Sequence, residues 1–167
     1  MRATPLTVLS PIPWWWALWI RISWPFARRI QLVAAPLRRL SFIHFARWAL
    51  MPGKRRLLFL TSFDGSDIQY IEAFVRVVPR RINGLYKGAT GFPGPRRFAP
   101  VDRYIVDHSH HVDHFWMAYP QASTTMVSQA LALKYAYEHV LPRLDVDDPQ
   151  RFGDEWRRFL TQVQGLL

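Results

Sequence analysis

The chain has 167 residues, half of them hydrophobic and 15% aromatic, with 22 basic against 12 acidic residues and a formal charge of +10. That length fits one domain with a sizeable core, and so apolar a composition excludes a disordered chain. The charge directs the protein towards anions, and the lack of cysteine excludes disulfides, thiolate catalysis, iron–sulfur clusters and cysteine-bound zinc.

Residues 1–13 carry one charged group, Arg2, and are broken by Pro5, Pro11 and Pro13. They lack the ordered basic, apolar and cleavage regions of a signal peptide. No apolar run approaches the roughly 20 residues of a spanning helix. A cytoplasmic protein is expected, with peripheral attachment to the inner membrane face as a variant. Thr4–Ser10 is the first expected strand, and Pro13 opens a helix at a tolerated early position. Residues 14–40 are expected to form one or two helices, kinked or restarted at Pro25 and again near Pro36.

This segment places Trp14, Trp15, Trp16, Trp19 and Trp24 next to Arg21, Arg28, Arg29, Arg38 and Arg39. Tryptophan favours the bilayer interface, and arginine binds lipid phosphates while its stem lies on apolar groups. A membrane or partner contact follows. In the plainer reading Leu18, Ile22, Phe26 and Ile30 form the core face of a crossover helix, and the tryptophans pack on the sheet. Three successive tryptophans cannot all face one core, because neighbouring helical positions differ by about 100°.

Ser41–Ser66 reads as two strands around Pro52-Gly53. Symmetric pairing puts Phe42, His44, Ala46 and Trp48 opposite Leu57, Phe59, Thr61 and Phe63. Ile43, Phe45, Arg47, Ala49, Leu58, Leu60 and Ser62 then share the other face. A sheet apolar on both faces must be covered on both. After the Asp64-Gly65-Ser66 turn, Ser66 and Gln69 match a capping box, followed by an apolar stripe of Ile68, Ile71, Phe74, Val75 and Val78 that Pro79 ends. Gly84–Phe92 is the expected last strand, its glycines suggesting a bulge or close backbone approach. Gly84, Gly88 and Gly91 match no nucleotide-binding fingerprint. Arg80-Arg81 and Arg96-Arg97 are basic pairs suited to a solvated or lipid-facing surface. Helices are expected from Val101 to about Tyr119, from Ser123 or Thr124 onwards with Met126, Ala130, Leu133, Tyr137 and Val140 on one side, and around Phe152, Trp156, Phe159, Leu160 and Val163.

The order strand, helix, strand, strand, helix, strand over residues 1–92 is that of the ferredoxin-like fold. The expected architecture is α+β, one domain with a βαββαβ sheet over residues 1–92 and two or three further helices over 93–167. At this point the chain resembles the dimeric α/β-barrel superfamily. SFIHFARW, LLFLTSFDGS, GLYKGATGFP and FWMAYP, within residues 40–140, resemble more closely a group of uncharacterised bacterial proteins with a HFAR...SxFDGS pattern. The resemblance implies a homodimer packed sheet to sheet, and as one functional alternative a small haem- or oxygen-dependent oxidoreductase. It carries no catalytic residues with it.

Four sets of side chains can carry chemistry. His44 beside Asp64 suits a general base or haem-pocket residue; a core imidazole bonded to Thr61 or backbone is the plainer account. Arg47, among apolar neighbours, needs an acidic partner, a ligand or an exit at the sheet edge. A pocket between sheet and helices is expected around His44, Arg47, Trp48 and Tyr119. Asp107, His110, His111 and His114 share the polar side of the expected helix, where four-residue spacing can hold a metal ion; a solvated polar face, with His108 in the core, is the plainer account. Helix initiation accounts for Asp64 and Ser66. The leading expectation is an accessory, non-catalytic protein that binds an anionic membrane surface or a hydrophobic ligand through Trp14–Arg39. Its rivals are the oxidoreductase, with His44, Arg47 and Asp64 as catalytic candidates and haem or a metal ion as cofactor, and a subunit of a larger complex. Nucleic acid is the least supported partner, since no recognition motif accompanies the charge.

Overall fold

The computed structural model describes residues 3–29, 40–53, 55–140, 144 and 147–166, with the side chains of 26–29 outside that description. These residues form two compact units, Met1–Ser123 and Thr124–Leu167. In the first, β1 (Ala3–Pro11), β2 (Ile43–Met51), β3 (Arg56–Asp64) and β4 (Ser109–His110) form one antiparallel sheet in the order β2-β3-β1-β4. Helices α1 (Trp14–Arg29), α2 (Asp67–Val77), α3 (Pro79–Tyr86) and α4 (Phe98–His108) complete it as an α+β unit.

Alternation along the strands builds the core. Leu6, Val8 and Ser10 of β1 pair with Thr61, Phe59 and Leu57 of β3 and are buried with them on one face. Side chains of α1, α2, α3 and α4, among them Trp16, Ile20, Ile71, Phe74, Ile82 and Val101, close over this face in a single cluster. Ser66 caps α2 by accepting a hydrogen bond from the Gln69 N–H at 3.4 Å, as the capping box anticipates. The buried side of α2 carries Tyr70, Ile71 and Phe74, whereas Ile68, expected in that stripe, points outward.

Tyr70 stacks on Phe63 at 3.9 Å and donates to Thr61 Oγ1 at 3.0 Å, and Thr61 donates in turn to the Phe45 carbonyl at 2.8 Å. Burial raises the Tyr70 hydroxyl far above its ordinary value of 10.0, and the bond to Thr61 offsets this only in part. The unfolded chain therefore loses this proton first, so the stability Tyr70 contributes is present below pH 10 and falls as pH rises beyond it. Tyr70→Phe is expected to cost about 1 kcal/mol at neutral pH. It should also remove up to about 1.4 kcal/mol per pH unit from the alkaline decline. Urea titrations at neutral and alkaline pH check both; an unchanged alkaline slope would contradict the buried, protonated hydroxyl.

Several expectations are corrected. Met51 pairs with Arg56, so the hairpin loop spans residues 52–55 with Gly53 at φ 69°, and Trp48 faces Phe59 where symmetric pairing put Leu57. A slip of two residues keeps the side chains from Phe45 to Met51 on their faces, whereas Ile43, expected beside Phe45, lies opposite Phe63 and packs against the core. Between Ile43 and Phe45 a bulge breaks the register. The two-residue slip puts Ala46 opposite Thr61 and so takes His44 away from it, and the Thr61 hydroxyl is committed to Tyr70 and Phe45. Helix α1 runs through Pro25 without a break, and the expected restart near Pro36 lies outside the described residues.

Gly84–Phe92 is not a strand. Its first residues complete α3, and one bond, from the Thr90 N–H to the Pro11 carbonyl at 2.9 Å, ties it to the edge of β1. That bond shows which way the odd residues of β1 direct their backbone. Pro5 and Pro11 thus turn their missing N–H away from β3, towards an edge that β4 pairs only at Thr7 and Val8. The fourth strand comes instead from a segment expected to be helical. Helix α4 stops at His108, where His108 Nδ1 bonds the Tyr104 carbonyl at 2.8 Å and the Ser109 hydroxyl donates to the Ile105 carbonyl at 2.6 Å. These bonds satisfy carbonyls that a further helical turn would have used.

The second unit is a pair of helices, α5 (Thr124–Val140) and α6 (Pro149–Val163), followed by a 3₁₀ turn at Gln164–Leu166. Asp148 caps α6, its Oδ1 accepting from the N–H groups of Gln150 and Arg151 at 3.0 and 3.1 Å. Ala130, Leu133 and Tyr137 of α5 face Phe159, Leu160 and Val163 of α6. Met126, expected on that side, is exposed.

Candidate functional site

Helix α1 is apolar on two sides. Trp16 and Ile20 are buried in the core, with Ala17 and Trp24 packed against it. They take the place expected for Leu18 and Ile22. Trp14, Trp15, Leu18, Trp19 and Ile22 are 65, 52, 50, 45 and 61% exposed. At about 100° per residue these five positions cover an arc of roughly 140°, with Arg21 at its margin. Arg21 is exposed as well. Of the other expected contact residues, Arg28 and Arg29 end the helix with their side chains outside the description, and Arg38 and Arg39 fall outside the described residues.

The inner side of α1 is anchored by one indole. Trp16 Nε1 donates to the Leu85 carbonyl at 3.0 Å, and its ring stacks on Trp19 at 4.5 Å with 6° between planes. Lys87 Nζ stands over both rings, 5.5 and 5.8 Å from their centroids. Such cation–π contacts hold a cation at the border of the exposed arc. Gly88 lies so close beneath Trp16 that no Cβ fits there, the close approach that the glycine-rich segment suggested.

The expected pocket residues do not converge. Trp48 lies on the core face and stacks on Phe59 at 4.9 Å. Arg47 lies on the opposite face, paired with Leu60, and exits to solvent at the β2 edge. Tyr119 is exposed in the segment after β4. His44 Nε2 meets Asp64 Oδ1 at 2.9 Å in a partly buried pair. This joins an imidazole to a carboxylate as general-base chemistry requires.

A cavity of about 50 Å³ does exist between the sheet and α2, α3 and α4, lined by Val8, Phe74, Ile82, Val101 and other apolar side chains. Trp48, Arg81, Tyr86 and Tyr104 also border it. Burial raises the Tyr86 and Tyr104 hydroxyls above the ordinary 10.0, with Trp48 and Ser10 as the respective neighbours that offset it in part. Neither pair closes fully: Trp48 Nε1, Ser10 Oγ and the Tyr104 hydroxyl are buried without a hydrogen-bond partner among the described residues, as is Arg81 Nη1. Arg81 was expected on a solvated surface with Arg80. Helix α3 separates them, leaving Arg80 exposed and Arg81 half-buried. The sequence signal was the run Ile82, Leu85 and Tyr86, whose apolar side of the helix begins beside Arg81.

The histidine-rich segment is not helical beyond His108, so the four-residue spacing of His110 and His114 has no helical meaning there. His110 pairs with Thr7 in β4, and Asp107, His111 and His114 are exposed. Among the described residues no group of three histidine, aspartate or glutamate side chains is gathered as a metal site. Among them, too, no helix is long and apolar enough to cross a membrane. Comparison with protein-family models, curated proteins and solved structures finds no match to this chain.

Proposed function

We propose that the protein binds anionic membrane surfaces, lying in the interface on the outer face of α1. The exposed arc of Trp14, Trp15, Leu18, Trp19 and Ile22 carries this reading. Indole rings are suited to the headgroup boundary, and an arc this wide on one helix offers a continuous apolar strip to insert. Arg21 beside the strip, Lys87 over its border and the net charge of +10 supply attraction to acidic headgroups. Flotation with vesicles tests it. Binding is expected to vesicles containing phosphatidylglycerol, with a blue shift of tryptophan emission, and to weaken as salt is raised. Equal binding to purely zwitterionic vesicles would remove the electrostatic part. Retention on DNA or RNA without flotation would replace the reading altogether.

A second reading concerns self-association in the ferredoxin-like, sheet-to-sheet manner. The outer sheet face carries Phe45, 48% exposed, with Leu9, Leu58 and Leu60, none of them part of the core cluster. An apolar row of this kind suits a second copy of the same face. Leu60→Lys is expected to convert a dimer to a monomer in light scattering; a wild-type chain that is monomeric at high concentration would end this reading.

A further inference from the structure

Around the 50 Å³ cavity Arg81 Nη1, Trp48 Nε1 and the Tyr104 hydroxyl are buried without a hydrogen-bond partner among the described residues. Arg81 Nη1 and Trp48 Nε1 are donors only, and the raised Tyr86 and Tyr104 hydroxyls keep their protons. Among the described residues no aspartate or glutamate borders the space. The Tyr86 oxygen stands beside Trp48 and the Ser10 hydroxyl beside Tyr104, so Arg81 Nη1 is the buried donor with no acceptor at hand, and such a donor is costly and calls for an acceptor from outside. The rest of the wall is aliphatic and aromatic, which excludes a strongly hydrated ion such as free phosphate as the best fit.

We propose that this cavity binds the carboxylate end of an aliphatic acid, with Arg81 as its charge partner and Trp48 and Tyr104 as neutral donors. The planar guanidinium matches a carboxylate. Its half-buried stem, on α3, marks the route from the surface into the cavity. Size narrows the ligand: a cavity of roughly 150 Å³ takes a benzene ring, so a third of that volume admits little more than the carboxyl head itself. A short-chain or a fatty acid would therefore enter by its head, with the chain passing Arg81 towards the surface.

Calorimetric titration of the full chain with sodium propionate and, separately, sodium dodecanoate tests the proposal against sodium chloride of equal ionic strength. Saturable binding of either acid is expected, propionate alone identifying a free short-chain acid and dodecanoate alone a fatty acid. Arg81→Met should weaken it at least about tenfold, while Arg80→Met leaves it unchanged. In acid-free buffer Arg81→Met should melt no lower than the wild type, because it removes a partly buried, unpaired cation. Tyr104→Phe should weaken binding about fivefold, and it decides the matter if Arg81→Met does not fold. No binding of either acid overturns the proposal. So does affinity unchanged in both Arg81→Met and Tyr104→Phe, which would place the acid on the exposed face of α1.

Discussion

Gly88→Ala is expected to destabilise the first unit by about 3 kcal/mol, near the upper range for overpacking a rigid site. A methyl group at this position overlaps the Trp16 indole. The indole cannot move aside cheaply. It is buried, bonded to the Leu85 carbonyl and stacked on Trp19, so a shift breaks the bond and pushes α1 outward. Urea unfolding should show a lower midpoint with an unchanged slope. A double-mutant cycle with Trp16→Leu separates this from a backbone effect of the glycine. The smaller side chain should absorb the methyl, so the double variant should cost at least about 1 kcal/mol less than the sum of the single ones. Additive costs would show that the two residues do not meet.

Trp14→Ser combined with Ile22→Ser is expected to lower partitioning onto anionic vesicles about 100-fold. These are the two most exposed apolar side chains of α1, and withdrawing each from the interface forfeits about 1.5 kcal/mol. Neither belongs to the core cluster, so the melting temperature should stay within a degree or so of the wild type. Trp24→Ser should show the reverse, since Trp24 packs against the core, with loss of stability and little direct change in lipid affinity. Vesicle binding that survives the double substitution while falling with Trp24→Ser would mean that folding, and not the outer face of α1, governs attachment.

Local interactions made much of the molecule legible in its sequence. The strands at Thr4–Ser10 and either side of Pro52-Gly53, the Ser66 cap of α2 and the apolar pattern of α6 join residues close along the chain, and each is found where the pattern placed it. Three adjacent tryptophans cannot share one core for an equally local reason, and of Trp14, Trp15 and Trp16 only the last is buried. Periodicity gave no means of choosing which indole turns inward. Gly88 and the Leu85 carbonyl make that choice, the latter 69 residues from Trp16. Remote partners explain the errors as well. The helical pattern after Val101 continues past His108, but the open edge of β1 draws Ser109 and His110 into the sheet. Hydrogen bonding between Thr61 and Tyr70 leaves His44 to Asp64, and the packing of α3 carries Arg81 to the cavity while Arg80 stays in water. The sequence by itself determined where the chain is strand or helix in most of its length, because those preferences are summed over neighbouring residues. Which side chain of a two-faced helix is buried, and which polar groups share a cavity, only the tertiary structure decided, because those outcomes depend on surfaces that meet from distant parts of the chain.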